Sequence, residues 1–493
     1  MTGKEADSVE QSASTDSNSR TALSRVSFGT SRALPDHIVA RRTGNVLIKH
    51  TILKSDHFPG CQNKKLLPLI EGAPNFRQVP ELPVYGVAIP TVSGMRLVLD
   101  ELGAAQGQRR VMWFNMREEP VIYINGNPYV VREANKPFAN LEYTGIDRSR
   151  VEDMENRLKQ DVLQEAAQYN NQILVAHEND DFQVVEQWEA VTEVDVQTPL
   201  EVYRELSDYG YEVEYTRVPV TDEKAPKEKD FALLMRRLWK PPEGAALIFN
   251  CQMGRGRTST GMIIASMLHL RRHVKSVVMP AEPQEGLPSW FVSKGAVHGS
   301  PMRSSSDVSL EAELKGGKYG VVRSLLRVLE GGTASKALLD TVIDACNAMQ
   351  NLREAIAGYR GRLMHEGNDV KRNALLQVCL EYLERYYVLI AFTAYLFEPG
   401  FNPESHHQAS LAHWMKRRPE LYRSAMEVRP TGPAAHYSAT CEPPSRSRSC
   451  GVLRGPPDSS DRYSGRGPAL KPLQQAGGLV LLSWSVKMTS VGS

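Results

Sequence analysis

This sequence has little net charge and few cysteines. The formal net charge is only +2 over 493 residues, so nothing indicates binding to nucleic acid. The six cysteines are scattered and form no C-x2-C pair, which argues against a zinc site or a disulfide framework. We therefore expect reduced thiols, as in the cytosol. The cysteines occupy positions 61, 251, 346, 379, 441 and 450.

Long apolar runs are also absent. The best candidate, residues 386–397, has about a dozen residues, whereas roughly 20 are needed to span a bilayer. Glu384 and Arg385 stand just before it. The N-terminus contains no apolar core typical of a secretory signal. We therefore expect no transmembrane segment, a buried helix at this position and a cytosolic location.

Composition divides the chain into five parts. Residues 1–35 and 429–493 lack a periodic apolar pattern and are expected to be disordered. Residues 282–315 are rich in Pro, Gly and Ser and are expected to be a linker. The two remaining parts, 36–281 and 316–428, contain most of the apolar periodicity and should fold.

Strands alternate with helices in residues 36–281, which predicts an α/β fold. Asn125-Gly126 lies between two β-rich runs and predicts a tight hairpin, because these residues readily adopt positive φ angles. Further buried strands are expected at 111–116, 173–176, 212–219 and 245–249, and helices at 91–102, 151–169, 199–209 and 258–273.

Residues 316–428 are expected to form a helical region. Helices are predicted at 319–329, 337–364 and 370–397. Cys346 and Cys379 fall in apolar helical patterns and are expected to be packing residues. We expect this region to support the α/β core; binding of a protein partner is the alternative.

The most informative stretch is Asn-Cys-Gln-Met-Gly-Arg-Gly-Arg-Thr at 250–258, which has the spacing C-x5-R-T. A predicted buried strand precedes it and an apolar helix follows it. Unpaired backbone N–H groups and the helix dipole favour an anion at such a helix N-terminus. The sequence therefore predicts a phosphate-binding loop; a buried cysteine in an ordinary strand–helix turn is the alternative.

Each residue type in this loop suits the chemistry of a phosphate ester. A thiolate is a strong nucleophile and is stabilised at a helix N-terminus, so Cys251 is the candidate nucleophile. Arg257 offers a planar fork of donors to two phosphate oxygens. Thr258 can donate its hydroxyl to the sulfur and stabilise the thiolate as a leaving group.

The residues between Cys251 and Arg257 are candidate substrate contacts. Gly254 and Gly256 allow the backbone to curl so that successive N–H groups point inward. No metal or cofactor is expected, because Arg257 and the loop amides supply the positive charge. The candidate substrate-binding residues are Gln252, Met253, Gly254, Arg255 and Gly256.

Asp222 is the candidate general acid. It follows a predicted strand, lies in a polar turn ending at Pro226 and precedes Cys251 by 29 residues (251 − 222). A carboxyl on such a loop can protonate the leaving oxygen and then activate water. Asp230 and Glu223 are the alternative candidates for the general acid. Alternatively, Asp222 caps the helix predicted to begin near Lys229.

Two further groups are considered for the site. Arg117-Glu118-Glu119 follows a strand end, where it could line the site or hold the acid loop by salt bridges. Arg77 could make a structural pair or contact substrate, and the sequence leaves both readings open.

The stretches RVPVTDEKAP and FNCQMGRGRT resemble the paladin family and, more distantly, the cysteine phytases of the protein tyrosine phosphatase superfamily. GNVLIKHTILKSDHFPGCQN (44–63) and FNMREEPVIYINGNPYVVRE (114–133) resemble paladin modules as well, and the resemblance extends over about residues 40–425. It implies a cysteine-phosphatase-like central sheet flanked by helices. It also places Cys251, Arg257 and Asp222 in the nucleophile, phosphate-binding and acid positions.

The sequence departs from these families at three points. Asn250 precedes the cysteine where many tyrosine phosphatases have histidine, and Glu223 follows the acid where cysteine phytases have histidine. Paladins tend to carry several modules, whereas this chain carries one. A catalytically weak or inactive pseudophosphatase that binds phosphate as a scaffold is therefore the alternative to an active enzyme.

The expected ligand carries a phosphate monoester. Arg255 adds a second guanidinium to the loop, as in phosphoinositide phosphatases with a C-x2-G-[KR]-G-R loop. A phosphorylated inositol or a phosphoinositide head group is therefore expected, and phosphotyrosine in a phosphoprotein stays open.

Overall fold

The computed structural model describes residues 33–292, 310–402 and 410–421. The helices are α1 (Ala33–Arg41), α2 (Val92–Glu101), α3 (Arg148–Gln168), α4 (Pro199–Asp208), α5 (Glu228–Leu238), α6 (Gly256–His273), α7 (Leu310–Lys315), α8 (Gly320–Val328), α9 (Gly332–Ala345), α10 (Leu352–His365), α11 (Asp369–Leu396) and α12 (Leu411–Lys416). The strands are β1 (Thr51–Ser55), β2 (Arg77–Gln78), β3 (Val84–Val87), β4 (Val111–Arg117), β5 (Val121–Ile124), β6 (Asn127–Glu133), β7 (Gln172–Glu178), β8 (Val184–Ala190), β9 (Val196–Gln197), β10 (Val213–Val220) and β11 (Ala246–Asn250).

A five-stranded sheet forms the centre of the α/β core, in the order β10-β4-β11-β3-β2. The strand β11 is parallel to both of its neighbours, β4 and β3. All residues of β4 and β11 are buried, as expected for a parallel strand that is covered on both faces. The α/β fold class predicted from the sequence is confirmed.

A second sheet of six strands has the order β8-β7-β1-β6-β5-β9. Its strands β5 and β6 form the predicted hairpin, and Asn125 and Gly126 have φ angles of 51° and 76° at the turn. The helix α3 packs against this sheet and against β10 of the first sheet. The buried ion pair between Arg217 of β10 and Glu155 of α3 joins the first sheet to this helix.

The helix α6 is buried along almost its whole length. It packs on the central sheet against β3, β4 and β11, and it also contacts α5, α9 and α11. One continuous hydrophobic core therefore includes residues of the sheet, of α6 and of the helical region. The N-terminus of α6 consequently lies where the sheet and the C-terminal helices meet.

The helical region differs from its prediction at 337–364, and it also contains α12, which was not predicted. The sequence predicted a single helix over 337–364, but the chain forms α9 and α10, separated by residues 346–351. The Asn351 side chain accepts hydrogen bonds from the backbone N–H groups of Arg353 and Glu354 and so starts a new helix. The prediction of one helix was wrong because the apolar periodicity continues through this cap.

The domain boundaries stay predictions. Phe291, within the predicted linker, is fully buried in the main core, and α7 occupies the end of that segment. The predicted tails, 1–35 and 429–493, lie outside the described residues except at 33–35, where α1 begins. Among the described helices, none has enough length and apolar character to cross a membrane.

Candidate active site

Cys251 lies at the carboxyl end of the central strand. The strand β11 ends at Asn250, and α6 begins at Gly256, so the C-x5-R loop connects a strand end to a helix N-terminus as the sequence predicted. Cys251 is 4% exposed. Its position therefore combines burial with the positive end of a helix dipole.

Hydrogen bonds from residues outside the loop hold its backbone in place. The carbonyl oxygen of Gln252 accepts a hydrogen bond from the Ile89 N–H at 2.9 Å, and that of Met253 accepts one from Asn75 Nδ2 at 2.9 Å. In a trans peptide, the N–H points opposite to the carbonyl. We infer that the N–H groups of Met253 and Gly254 point toward the interior of the loop, as a phosphate site requires.

Gly254 is required by the shape of the loop. Its φ angle is +67°, and a Cβ atom there would lie 2.6 Å from the Ala88 nitrogen. A side chain would therefore meet both backbone strain and a collision with the end of β3. Arg255, the next residue, is exposed.

Thr258 contacts the candidate nucleophile. Its Oγ1 lies 3.1 Å from Cys251 Sγ, which suits a hydroxyl donating to a thiolate. Thr258 is fully buried in the first turn of α6, so its hydroxyl is held at this position.

Arg257 is held by a carboxylate that the sequence placed only in the vicinity of the site. Its Nη1 donates to both oxygens of Glu119, at 3.0 and 2.9 Å, and to the Val220 carbonyl at 3.3 Å. Glu119 also accepts a hydrogen bond from Arg117 Nε at 3.1 Å. Burial alone would raise the pKa of Glu119, but Arg257 and Arg117 lower it well below its ordinary value.

A second layer of buried charges lies behind this pair. Asp56 is 1% exposed, pairs with Arg117 and accepts a hydrogen bond from Gln252 Nε2 at 2.9 Å. Arg132, 3% exposed in its side chain, lies 3.7 Å from Asp56. Sequence reasoning missed Asp56 and Arg132, because they lie far from the motif and carry no characteristic spacing.

Asp222 lies beside Arg257. Its Oδ1 is 3.2 Å from Arg257 Nε, and its Oδ2 accepts a hydrogen bond from Asn140 Nδ2 at 2.7 Å. The preceding residue, Thr221, donates to Glu118 Oε2 at 2.7 Å. The Arg117-Glu118-Glu119 segment therefore contacts both Arg257 and the acid loop.

The two rival carboxylates have different surroundings. Asp230 is buried and accepts a hydrogen bond from the Lys227 N–H at 2.8 Å at the start of α5; burial raises its pKa to about 6. Asp230, not Asp222, thus caps this helix. Glu223 has a φ angle of +62°, and burial followed by Asp222 raises its pKa.

Asn250 has a structural partner. Its Oδ1 accepts a hydrogen bond from the indole Nε1 of buried Trp113 at 3.0 Å. Arg77 is likewise used internally, since it donates to the Asn75 carbonyl and to Ser259 Oγ at 3.0 and 3.1 Å. The structural alternative for Arg77 is therefore the one that the contacts support.

The other described cysteines are buried thiols. Burial raises the pKa of Cys346 to about 12 and that of Cys379 to about 11, in agreement with packing roles. Burial, followed by the charge of Cys251, raises the pKa of Cys61 to about 11. The described part of the chain contains no group of His, Cys, Asp and Glu side chains that could hold a metal ion.

A family model and curated relatives match the chain. The PTP-like phytase family, described by the words "Inositol hexakisphosphate", matches residues 114–269. Paladin from Danio rerio is 28% identical over 351 residues, covering 66% of this chain and 38% of the relative. Paladin from Gallus gallus is 30% identical over 344 residues, covering 65% and 34%. Paladin from Homo sapiens is 28% identical over 334 residues, covering 65% and 33%. The chain thus spans about a third of the length of these relatives.

Solved structures give weaker matches. The tandemly repeated protein tyrosine phosphatase like phytase from Mitsuokella multacida has a TM-score of 0.44 and 16% identity, over 75% of this chain and 48% of that chain. A PTP-like phytase from Bdellovibrio bacteriovorus has a TM-score of 0.29 and 20% identity, over 41% and 64%. The resemblance read from the motifs is confirmed: about two thirds of the chain is similar to paladins, and residues 114–269 match the PTP-like phytase family.

Proposed function

We propose that the chain hydrolyses phosphate monoesters through a phosphocysteine intermediate. The observation that carries this proposal is the joint position of Cys251, Arg257 and Asp222 around one loop at the N-terminus of α6. Thr258 contacts the sulfur, and Glu119 orients the guanidinium. These are the groups that a two-step displacement at phosphorus needs.

In the first step, Cys251 Sγ attacks phosphorus and the bond to the ester oxygen breaks. Asp222, protonated, gives its proton to the departing oxygen. Arg257 and the loop N–H groups hold the phosphoryl oxygens. For this step Asp222 moves away from Arg257, and Nε, which has no hydrogen-bond partner within the described residues, donates to a phosphoryl oxygen.

In the second step, water attacks the phosphorus of phosphocysteine. Asp222, now ionised, takes a proton from that water, and the S–P bond breaks to release inorganic phosphate. The Thr258 hydroxyl, 3.1 Å from Sγ, stabilises the thiolate that departs. After one cycle Asp222 is again protonated and Cys251 is again a thiolate. The other proton of the attacking water leaves with the phosphate.

Among phosphate esters, we propose a multiply phosphorylated inositol, either free or as a lipid head group. Arg255 is exposed beside the loop. Arg132 is buried near Asp56, and within the described residues its Nη1 has no hydrogen-bond partner. Both guanidinium groups could meet a second phosphate, and the matching family model is described for inositol hexakisphosphate. A phosphotyrosine peptide is the alternative substrate.

A pseudophosphatase is the second candidate. Asn250 stands before Cys251 and is engaged with Trp113, Arg257 Nη1 already donates to Glu119 and to the Val220 carbonyl, and Asp222 lies 3.2 Å from Arg257 Nε. A phosphate-binding scaffold would retain the loop without turning over its ligand. Only a measurement of turnover separates the two functions.

The test is a substrate panel with a matched loss-of-nucleophile control. Release of inorganic phosphate would be followed for inositol hexakisphosphate, a soluble phosphoinositide and a phosphotyrosine peptide, with the full chain and with Cys251→Ser. The enzyme predicts steady turnover that Cys251→Ser abolishes while phosphate still binds. Saturable binding of phosphate without turnover in the unaltered chain would favour the scaffold, and absence of both would contradict the phosphate loop itself.

A further inference from the structure

The long helix α11 places one arginine against the acid loop. Arg385 is 1% exposed, and its Nε and Nη2 donate to the Lys224 carbonyl oxygen at 3.2 and 3.0 Å. Lys224 follows Asp222 by two residues. The helical region therefore contacts the backbone of the segment that carries the candidate general acid.

The same guanidinium also faces the phosphate loop. A Cβ atom at Gly256 would lie 3.0 Å from Arg385 Nη1, 3.4 Å from Gln350 Oε1 and 3.7 Å from the Tyr382 hydroxyl. The absence of a side chain at Gly256 lets these three groups approach the first turn of α6. Arg385 is thus packed between the phosphate loop and the acid loop.

Neighbouring side chains keep Arg385 in this position. Its guanidinium lies 4.8 Å from the centre of the Tyr382 ring, and the Tyr382 hydroxyl lies 3.4 Å from Gln350 Nε2, which donates to it. Hydrogen bonds from a charged donor to a buried carbonyl are stronger than neutral ones, and removing the donor leaves the carbonyl unpaired. The contact therefore has the strength to fix a loop.

We propose that Arg385 is a positioning residue that fixes the acid loop relative to the phosphate loop. The helical region is then part of the catalytic unit, because it sets the distance between the carboxyl of Asp222 and the oxygen that departs. In this role Arg385 acts through the loop backbone and takes no part in the chemical step. The catalytic part of this proposal rests on the proposed function; the positional part does not.

The first test is hydrogen exchange of the full chain. The Lys224 N–H donates to the Thr221 carbonyl at 3.2 Å, so the loop has amides whose protection reports on its order. Arg385→Gln should increase exchange in residues 221–227 at least several-fold while β11 and α9 keep their protection. Arg385→Lys keeps the charge without the fork and should give a smaller increase. Arg372→Ala, an exposed arginine of the same helix, is the matched control.

The second test is the leaving-group dependence of turnover. A displaced acid loop should lower kcat for an inositol phosphate, whose leaving group is an alkoxide, by about 10- to 100-fold. It should slow p-nitrophenyl phosphate much less, because that leaving group needs little protonation. The inhibition constant of inorganic phosphate should stay the same, because Arg257 and the loop amides are untouched.

The outcomes separate the two claims. Unchanged exchange at 221–227, or increased exchange throughout the fold, would overturn the positioning role. Equal losses for both substrates would overturn its catalytic part. If the unaltered chain turns over neither substrate, the proposed function fails, while the exchange result still decides whether Arg385 fixes the loop.

Discussion

Glu119 holds Arg257 from behind through two hydrogen bonds, of 3.0 and 2.9 Å, to the same nitrogen. Both side chains are almost completely buried, at 3% and 1% exposure. A carboxylate in this position fixes the guanidinium plane before any ligand arrives. Orientation of Arg257 is thus a property of the folded chain and does not depend on substrate binding.

Glu119→Gln should impair both turnover and stability. It removes the charge that balances Arg257 and Arg117, and breaking a buried pair by removing one partner costs about 3–5 kcal/mol. Turnover should fall about 10- to 100-fold as Arg257 loses its orientation. Urea unfolding and phosphate release measure the two effects.

The control for this change is Glu152→Gln, which removes a partly exposed partner of Arg148 on α3. Its loss should cost at most about 0.5 kcal/mol and leave turnover unchanged. If Glu119→Gln is destabilised but retains full turnover, Glu119 does not position Arg257 for the reaction.

The local part of the site could be predicted from the sequence. The strand, the loop and the helix around Cys251 are contiguous, so the residue order alone brings Cys251, Arg257 and Thr258 to one helix N-terminus. Asp222 was proposed because it follows a predicted strand in a polar turn 29 residues before Cys251. The structure adds that β10 and β11 are both parallel to β4, so this turn and the loop after β11 lie at the same edge of the sheet.

The surrounding shell could not be predicted in this way. Asp56, Asn140 and Arg385 reach the site from three distant parts of the chain, and each is an ordinary polar residue in its own segment. Only the pairing of strands and the packing of α11 on α6 bring them together. Tertiary contacts of this kind leave no periodic or motif signal in a single sequence.

Because of Glu384, the free energy of unfolding should fall as pH rises. Burial, followed by the charge of Glu381, raises the pKa of Glu384 from 4.5 to about 8, and Glu228, Lys224 and Arg385 lie nearby. Between these values the folded state keeps a proton that the unfolded state has lost. Stability from this group is therefore complete below about pH 4.5 and is lost as pH rises through about 8.

Glu384→Gln replaces the carboxyl by a neutral amide and should flatten this dependence. As pH rises from 5.5 to 8.5, the free energy of unfolding of the variant should rise by about 2 kcal/mol relative to that of the unaltered chain. This is less than the whole pKa shift implies, because the side chain is partly exposed. Urea unfolding at the two pH values measures it. Glu330→Gln, at an exposed position, controls for loss of one negative charge; an equal gain there would refute the assignment to Glu384.

Arg255→Ala should discriminate between substrate classes. Arg255 is exposed in the phosphate loop, and we expect its guanidinium to meet a ligand that carries a second phosphate. Its loss should weaken binding of inositol hexakisphosphate about 10-fold, the scale of a lost charge-assisted hydrogen bond, and leave a simple phosphate ester nearly unchanged. Binding constants for both ligands give the comparison.

Arg236→Ala, at an exposed position of α5, is the matched control for that experiment. It removes the same charge from the surface but not from the loop. Equal losses for both ligands in Arg255→Ala, or an equal effect of Arg236→Ala, would contradict a specific contact with a second phosphate.

Asp222→Asn tests the assignment of the general acid. Asp222 lies 3.2 Å from Arg257 Nε and is partly exposed, whereas Asp230 is committed to the cap of α5. Loss of the acid should slow an inositol phosphate by about 10²–10⁴-fold and p-nitrophenyl phosphate less, because its leaving anion is already stable. Binding of inorganic phosphate should persist, since Arg257 and the loop N–H groups remain.

Glu223→Gln and Asp230→Asn are the comparisons: if one of them reproduces the leaving-group effect and Asp222→Asn does not, that carboxylate is the acid. If none of the three changes the turnover of the poor leaving group, protonation by this loop is not part of the reaction.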